Sequence, residues 1–177
     1  MKKFTKKILV VFAVLCVSLF ALTACGDTEN ENTEPETPTA EEEAATIHEY
    51  ENINTTIETA DDYFAALDTF TYAAKNVKTD LANRLAEIDT ADTAKVQEVA
   101  EAVKKPFTQF LNVTPSAEYT EANKYYADAC NQIIEYIDKT IAGEDAAEIL
   151  NKAMANIQTG TTTVSDALAN SAKSTEN

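Results

Sequence analysis

The sequence predicts an all-α fold: an up-down antiparallel bundle of three to four long helices, following a disordered acidic tether. Three observations carry this. Three glycines and no tryptophan in 177 residues suit helices better than a turn-rich β fold. From about Thr46 onward, apolar residues recur at spacings of three, four and seven, the period of one helix face. The periodic segments are long and joined by short connections, which favours antiparallel neighbours.

In the first periodic segment, Ile53, Ile57, Ala60, Phe64, Leu67, Ala74, Val77, Leu81, Leu85 and Ile88 form the apolar stripe. Thr59 and Asp62 have the spacing of a capping box with aspartate in the usual glutamate position, so a long helix is expected from about 60 to 88 after a shorter one. A second helix starts near Thr90, with Asp92 suited to its positive end, and buries Val96, Val99, Val103, Phe107 and Phe110. Pro106 lacks an amide donor and crowds the carbonyl of Ala102, which predicts a kink or a restart. Thr114-Pro115 reads as the cap and first position of a third helix running to about Ala142. Its inward residues are Ala122, Tyr126, Ala129, Cys130, Ile133, Ile137 and Ile141, and Gly143 ends it. A fourth segment carries Ala146, Leu150, Ala153, Ile157, Val164 and Leu168. Its Thr159-Gly160-Thr161-Thr162-Thr163 run is a poor helix former, expected to bend or fray.

Ahead of the bundle the composition changes twice. Lys2, Lys3, Lys6 and Lys7 precede an apolar run from Ile8 to Leu22, the pattern of a signal peptide and short for a stable membrane span. Leu22-Thr23-Ala24-Cys25, followed by Gly26-Asp27, resembles the lipobox of bacterial lipoproteins. That resemblance covers only the first 26 residues or so. It implies diacylglyceryl transfer to the Cys25 sulfur, cleavage between Ala24 and Cys25, and a location on the extracytoplasmic face of the cell membrane. Two acyl chains suffice for stable attachment where one is marginal. Residues 26–45 hold eight acids, two prolines and no large apolar side chain, and are expected to remain an extended, disordered linker. The organisation is therefore a signal peptide (1–24), a lipidated cysteine with its linker (25–45) and a helical domain (46–177). The stretch from Pro106 to Ala153 is loosely similar to small helical lipoproteins of unassigned function, a likeness that carries no residue roles.

Charge and residue inventory narrow the function. All thirty acidic residues lie beyond Cys25 with only ten of the fourteen bases, a formal excess of twenty negative charges on the processed chain. Nucleic-acid binding is excluded, because it draws its affinity from lysine and arginine on phosphates. His48 is the single histidine and Cys130 falls on an apolar stripe, so a Cys–His dyad would require the first helix to fold back. Cys130 reads as a small core residue. Asp61-Asp62 and Glu144-Asp145 sit at helix starts and lack the spacing of a calcium loop. No metal ligand set and no cofactor is expected, and no catalytic residue is assigned.

Tyr119, Tyr125 and Tyr136, with Phe107 and Phe110 before them, are the candidate partner-binding residues. An aromatic-edged groove suits an envelope protein, peptide or glycan, since tyrosine offers contact area with a polar handle. The expected function is a non-enzymatic binding or scaffolding module of the cell envelope. The alternative is a small-ligand or cation-binding lipoprotein.

A domain so rich in carboxylates repels itself when compact. Stability should rise smoothly with monovalent salt as the Debye length shrinks to ~10 Å at 0.1 M. Calcium at equal ionic strength should add little in a thermal melt. A saturable calcium shift with a micromolar midpoint would instead favour the cation-binding alternative.

Overall fold

A computed structural model of the chain describes residues 47–174. The expected signal peptide, the expected lipobox with Ala24 and Cys25, and the expected linker through residue 45 lie outside the described residues. Four helices follow one another: α1 (Ala60–Ala86), α2 (Thr93–Phe110), α3 (Thr120–Ile141) and α4 (Ala147–Ser174), with a short 3₁₀ turn (Ala117–Tyr119) before α3. Among the described residues there is no β-strand. Each helix packs on the next in sequence. α3 and α4 are antiparallel: Glu118 just before α3, then Tyr126 and Gln132 on it, meet Ser171, Thr161 and Asn156 in turn, so ascending positions pair with descending ones on α4.

Local signals set most helix ends. The Thr59 hydroxyl accepts from the Asp62 amide (3.2 Å), and the Asp62 carboxylate accepts from the Thr59 amide (2.8 Å), closing the predicted capping box. Bonds from the Thr59 hydroxyl and amide hold the Asp62 carboxyl below the usual aspartate value. Asp92 caps α2 by accepting from the Ala94 and Lys95 amides. Gly143 ends α3 at φ 76°, a left-handed conformation that glycine adopts without a Cβ penalty.

Four expectations about residues 47–58 and the first three helices need correction. Residues 47–58 contain no helix; they form an extended strap that folds back along α1. On α1 the buried face is set by Tyr63, Ala66, Leu67, Phe70, Ala73, Ala74, Val77, Asp80 and Leu81, while Phe64 is only half-buried. α2 neither breaks nor restarts at Pro106. The proline is buried beside Val103, Phe107 and Phe110, and the carbonyl it deprives of a donor belongs to Ala102, an exposed residue whose lost bond water can replace. Finally, α3 begins five residues beyond Pro115, after the 3₁₀ turn. That turn seats Tyr119 flat on Tyr63 (ring centroids 5.2 Å, 11° between planes), and Asn123 donates to the Val113 carbonyl to hold the loop.

The α4 segment most at odds with helix propensity is continuous helix. The hydroxyls of Thr159, Thr161, Thr162, Thr163 and Ser165 each donate to the carbonyl four residues earlier, which satisfies them locally. Packing supplies the rest. Gly160 lies under the Tyr126 ring, whose hydroxyl donates to Thr161 Oγ1 at 3.2 Å. Ala153, Ile157 and Val164 are buried on the same face. Amphipathic packing outweighs propensities of less than about 1 kcal/mol per residue.

Between α2 and α3, Lys104 is 9% exposed and lies 2.5 Å from Asp138 and 3.3 Å from Glu101. Burial pulls its ammonium pKa down, but the bonds to Asp138 and Glu101 outweigh that and leave it above the ordinary lysine value.

Replacing a helical glycine by alanine ordinarily stabilises by about 1 kcal/mol. At Gly160 an added Cβ would stand 2.8 Å from the Tyr126 ring, which is buried among Phe70 and Phe110. Gly160→Ala should therefore destabilise, by about 1–3 kcal/mol, in a denaturant titration. A more stable variant would show that the ring yields.

Candidate functional site

The strongest polar constellation in the described residues is built where the strap meets α1. Asp80 falls on the helical row that includes Ala66 and Ala73, two positions spaced by seven, and that row faces inward. The residue is 0% exposed. A carboxylate in such a place must find donors, because burying an unpaired charge is costly. The strap brings them. His48 donates from Nδ1 to Asp80 Oδ1 (2.6 Å), its main-chain amide reaches the same oxygen (3.4 Å), and the Tyr50 hydroxyl donates to Oδ2.

One turn further along α1, Arg84 extends the cluster. Its Nη2 donates to the His48 carbonyl (2.8 Å) and to Glu49 Oε1 (3.0 Å). Its Nε is buried without a hydrogen-bond partner. Two turns before Asp80, the Tyr72 ring receives His48 and Tyr50 edge-on, at centroid distances of 5.5 and 6.2 Å. Tyr72 is 48% exposed, so an aromatic surface overlies the buried carboxylate. At the other end of the strap, the Ile53 amide donates to Gln109 Oε1 (3.0 Å) on α2, and the Ile53 side chain is buried.

Chemically this arrangement reads an extended polypeptide. One carboxylate collects an imidazole, a phenol and a main-chain amide; one guanidinium takes a main-chain carbonyl; one amide side chain takes a second main-chain amide. The imidazole is oriented by Asp80, with its side chain 23% exposed. Cys130 lies on α3, fully buried, with its thiol pKa pushed well up by desolvation, the opposite of an activated thiolate. Among the described residues, no group of three or more histidine, cysteine, aspartate or glutamate side chains is placed to hold a metal ion.

The tyrosines singled out from the sequence are distributed differently from a groove edge. Tyr119 is 2% exposed, stacked on Tyr63 and flanked by Phe64; burial first, then Glu118, raises its hydroxyl to about 12. Tyr136 is also buried, and Tyr125 is half-buried. Two of the three rings thus cover the core rather than present themselves to a partner. Asp80, His48, Tyr50, Arg84 and Tyr72 were not selected as a set. The available signal was an acid on an apolar row, which implies a buried, partnered carboxylate.

The fold and site define a four-helix, all-α domain with an extended strap pinned on its first helix. Compared with known proteins, the chain matches no family model, no curated protein and no solved structure.

Because Cys130 is sealed in the core, a thiol reagent should modify it at least about a hundredfold more slowly in native buffer than in denaturant. The labelled peptide can be followed by mass spectrometry. Equal rates would remove Cys130 from the core.

Proposed function

We propose that this chain is a lipid-anchored lipoprotein of the extracytoplasmic membrane face, whose helical domain is a non-enzymatic binding or scaffolding module of the cell envelope. The observation that carries this is Leu22-Thr23-Ala24-Cys25 at the end of the apolar run, behind Lys2 to Lys7. The order of basic segment, apolar core, small residues and cysteine supports cleavage between Ala24 and Cys25 and a thioether-linked diacylglyceryl group on Cys25.

The folded domain is compatible with attachment from its N-terminal side. No helix among the described residues is long and apolar enough to cross a membrane. The acidic linker, with eight carboxylates and no base, resists adsorption to anionic lipid and suits a spacer. The expected partner is an envelope protein, peptide or glycan. On the described surface, Tyr72 and half-buried Tyr125 are aromatic rings with exposure to offer such a partner.

Cys25→Ser tests the anchor directly. In cells fed radiolabelled palmitate, the variant should lose lipid incorporation and accumulate with its signal peptide attached, while the unaltered chain is labelled and partitions into detergent. Undiminished labelling of the variant would overturn the proposal.

A further inference from the structure

We infer that residues 47–53 are a releasable strap: they detach from α1 and α2 as a unit, with Asp80 as the gate, while the four helices stay folded. This holds whether or not Cys25 carries lipid.

Three features separate the strap from the bundle. It is held mainly by polar contacts, since Ile53 is the sole buried side chain among residues 47–53. Those contacts converge on few groups: Asp80 takes His48 and Tyr50, Arg84 takes the His48 carbonyl and Glu49, and Gln109 takes the Ile53 amide with a second bond to Asn52 (3.2 Å). Loss of Asp80's donors therefore removes both side-chain anchors of His48 and Tyr50 together, leaving that end on the Arg84 bonds alone. Second, the segment that links strap to helix is mostly exposed. Its hydrogen bonds are local, from the Thr56 amide to Asn54 and from the Glu58 amide to Asp62. Such a stretch serves as a hinge. Third, α1 needs nothing from the strap to begin, because the Thr59–Asp62 box closes its first turn by itself. The Tyr63–Tyr119 stack likewise forms without strap residues.

Release has a geometric result. With the strap closed, the chain joins the bundle beside Asp80 and Arg84, near the end of α1. With it open, the junction becomes Thr59, roughly 30 Å away at 1.5 Å per helical residue. The strap state thus decides which end of the bundle the preceding chain leaves from. Opening also presents the Asp80 carboxylate and the Arg84 guanidinium, together with the Tyr72 ring, to solvent.

Hydrogen exchange on the full chain in detergent tests this. In the unaltered protein, the His48 and Ile53 amides should exchange at least about a hundredfold faster than the core amides of α3, by opening on their own. The double change His48→Ala with Tyr50→Phe should accelerate exchange over 47–53 a further tenfold or so, and leave residues 93–141 within about twofold. Asp80→Asn, which keeps the side-chain shape, should do the same to a lesser degree. Strap and α3 amides accelerating together would overturn the proposal, since the strap would then open only with the whole bundle. Unchanged strap amides in both variants would equally overturn it, by removing Asp80 as the gate.

Discussion

One aromatic ring is shared by every helix of this domain. Tyr126, on α3, meets Phe70 of α1 at 5.8 Å and Phe110 of α2 at 6.1 Å, both edge-on. It lies over Gly160 of α4 and donates its hydroxyl to Thr161. Phe70 in turn stacks on Phe110 at 4.6 Å and meets Phe107 edge-on. With so few glycines and no tryptophan, the bundle closes around this tyrosine–phenylalanine cluster. The polar handle matters as much as the ring. A buried phenol must find a partner, and Thr161 supplies one where an aliphatic residue would leave it unmade.

Around that centre, three of the scarce bases sit at junctions. Arg84 joins the strap to α1, Lys104 joins α2 to α3, and Lys139 reaches Glu144 across the turn that ends α3 (2.9 Å). Pairs of this kind contribute little when fully solvated. Lys104 and Arg84 are largely sheltered, with side-chain exposures of 11% and 17%, so their bonds are screened less by salt than those of the exposed surface. Among the described residues the acidic excess lies on the outside, where hydration and salt moderate it. Asp80 is the exception, an acid drawn inside because the strap brings its own donors.

Which features were readable in advance follows from how far apart the interacting residues lie. Thr59 with Asp62, Asp92 at the start of α2, and Gly143 after α3 act within a few positions, and their roles were plain from local spacing. The inward row of α3, from Ala122 through Ile137, was equally clear because its periodicity is regular. The poor helix preference of Thr159–Thr163 is overruled by Tyr126, thirty-odd residues upstream. The strap is hidden from local spacing for the same kind of reason: Ile53 and Ile57 have helical spacing, but His48 and Tyr50 are claimed by Asp80, which lies 32 and 30 residues away. Tyr136 lies beside the strict stripe in sequence yet is buried, and Tyr119, on the 3₁₀ turn, is enclosed by Tyr63 and Phe64 of α1. Of the candidate site, the apolar row that contains Asp80 was legible; its partners were not.

The close seat of Gly160 beneath Tyr126 also fixes the axial register of α4. A slide of one helical turn in either direction would bring Ile157 or Val164, both branched at Cβ and on the same face, under a ring that leaves no room even for a methyl group. α3 and α4 are therefore keyed like a bolt in a notch, and motions that ratchet one helix past its neighbour are closed to this pair.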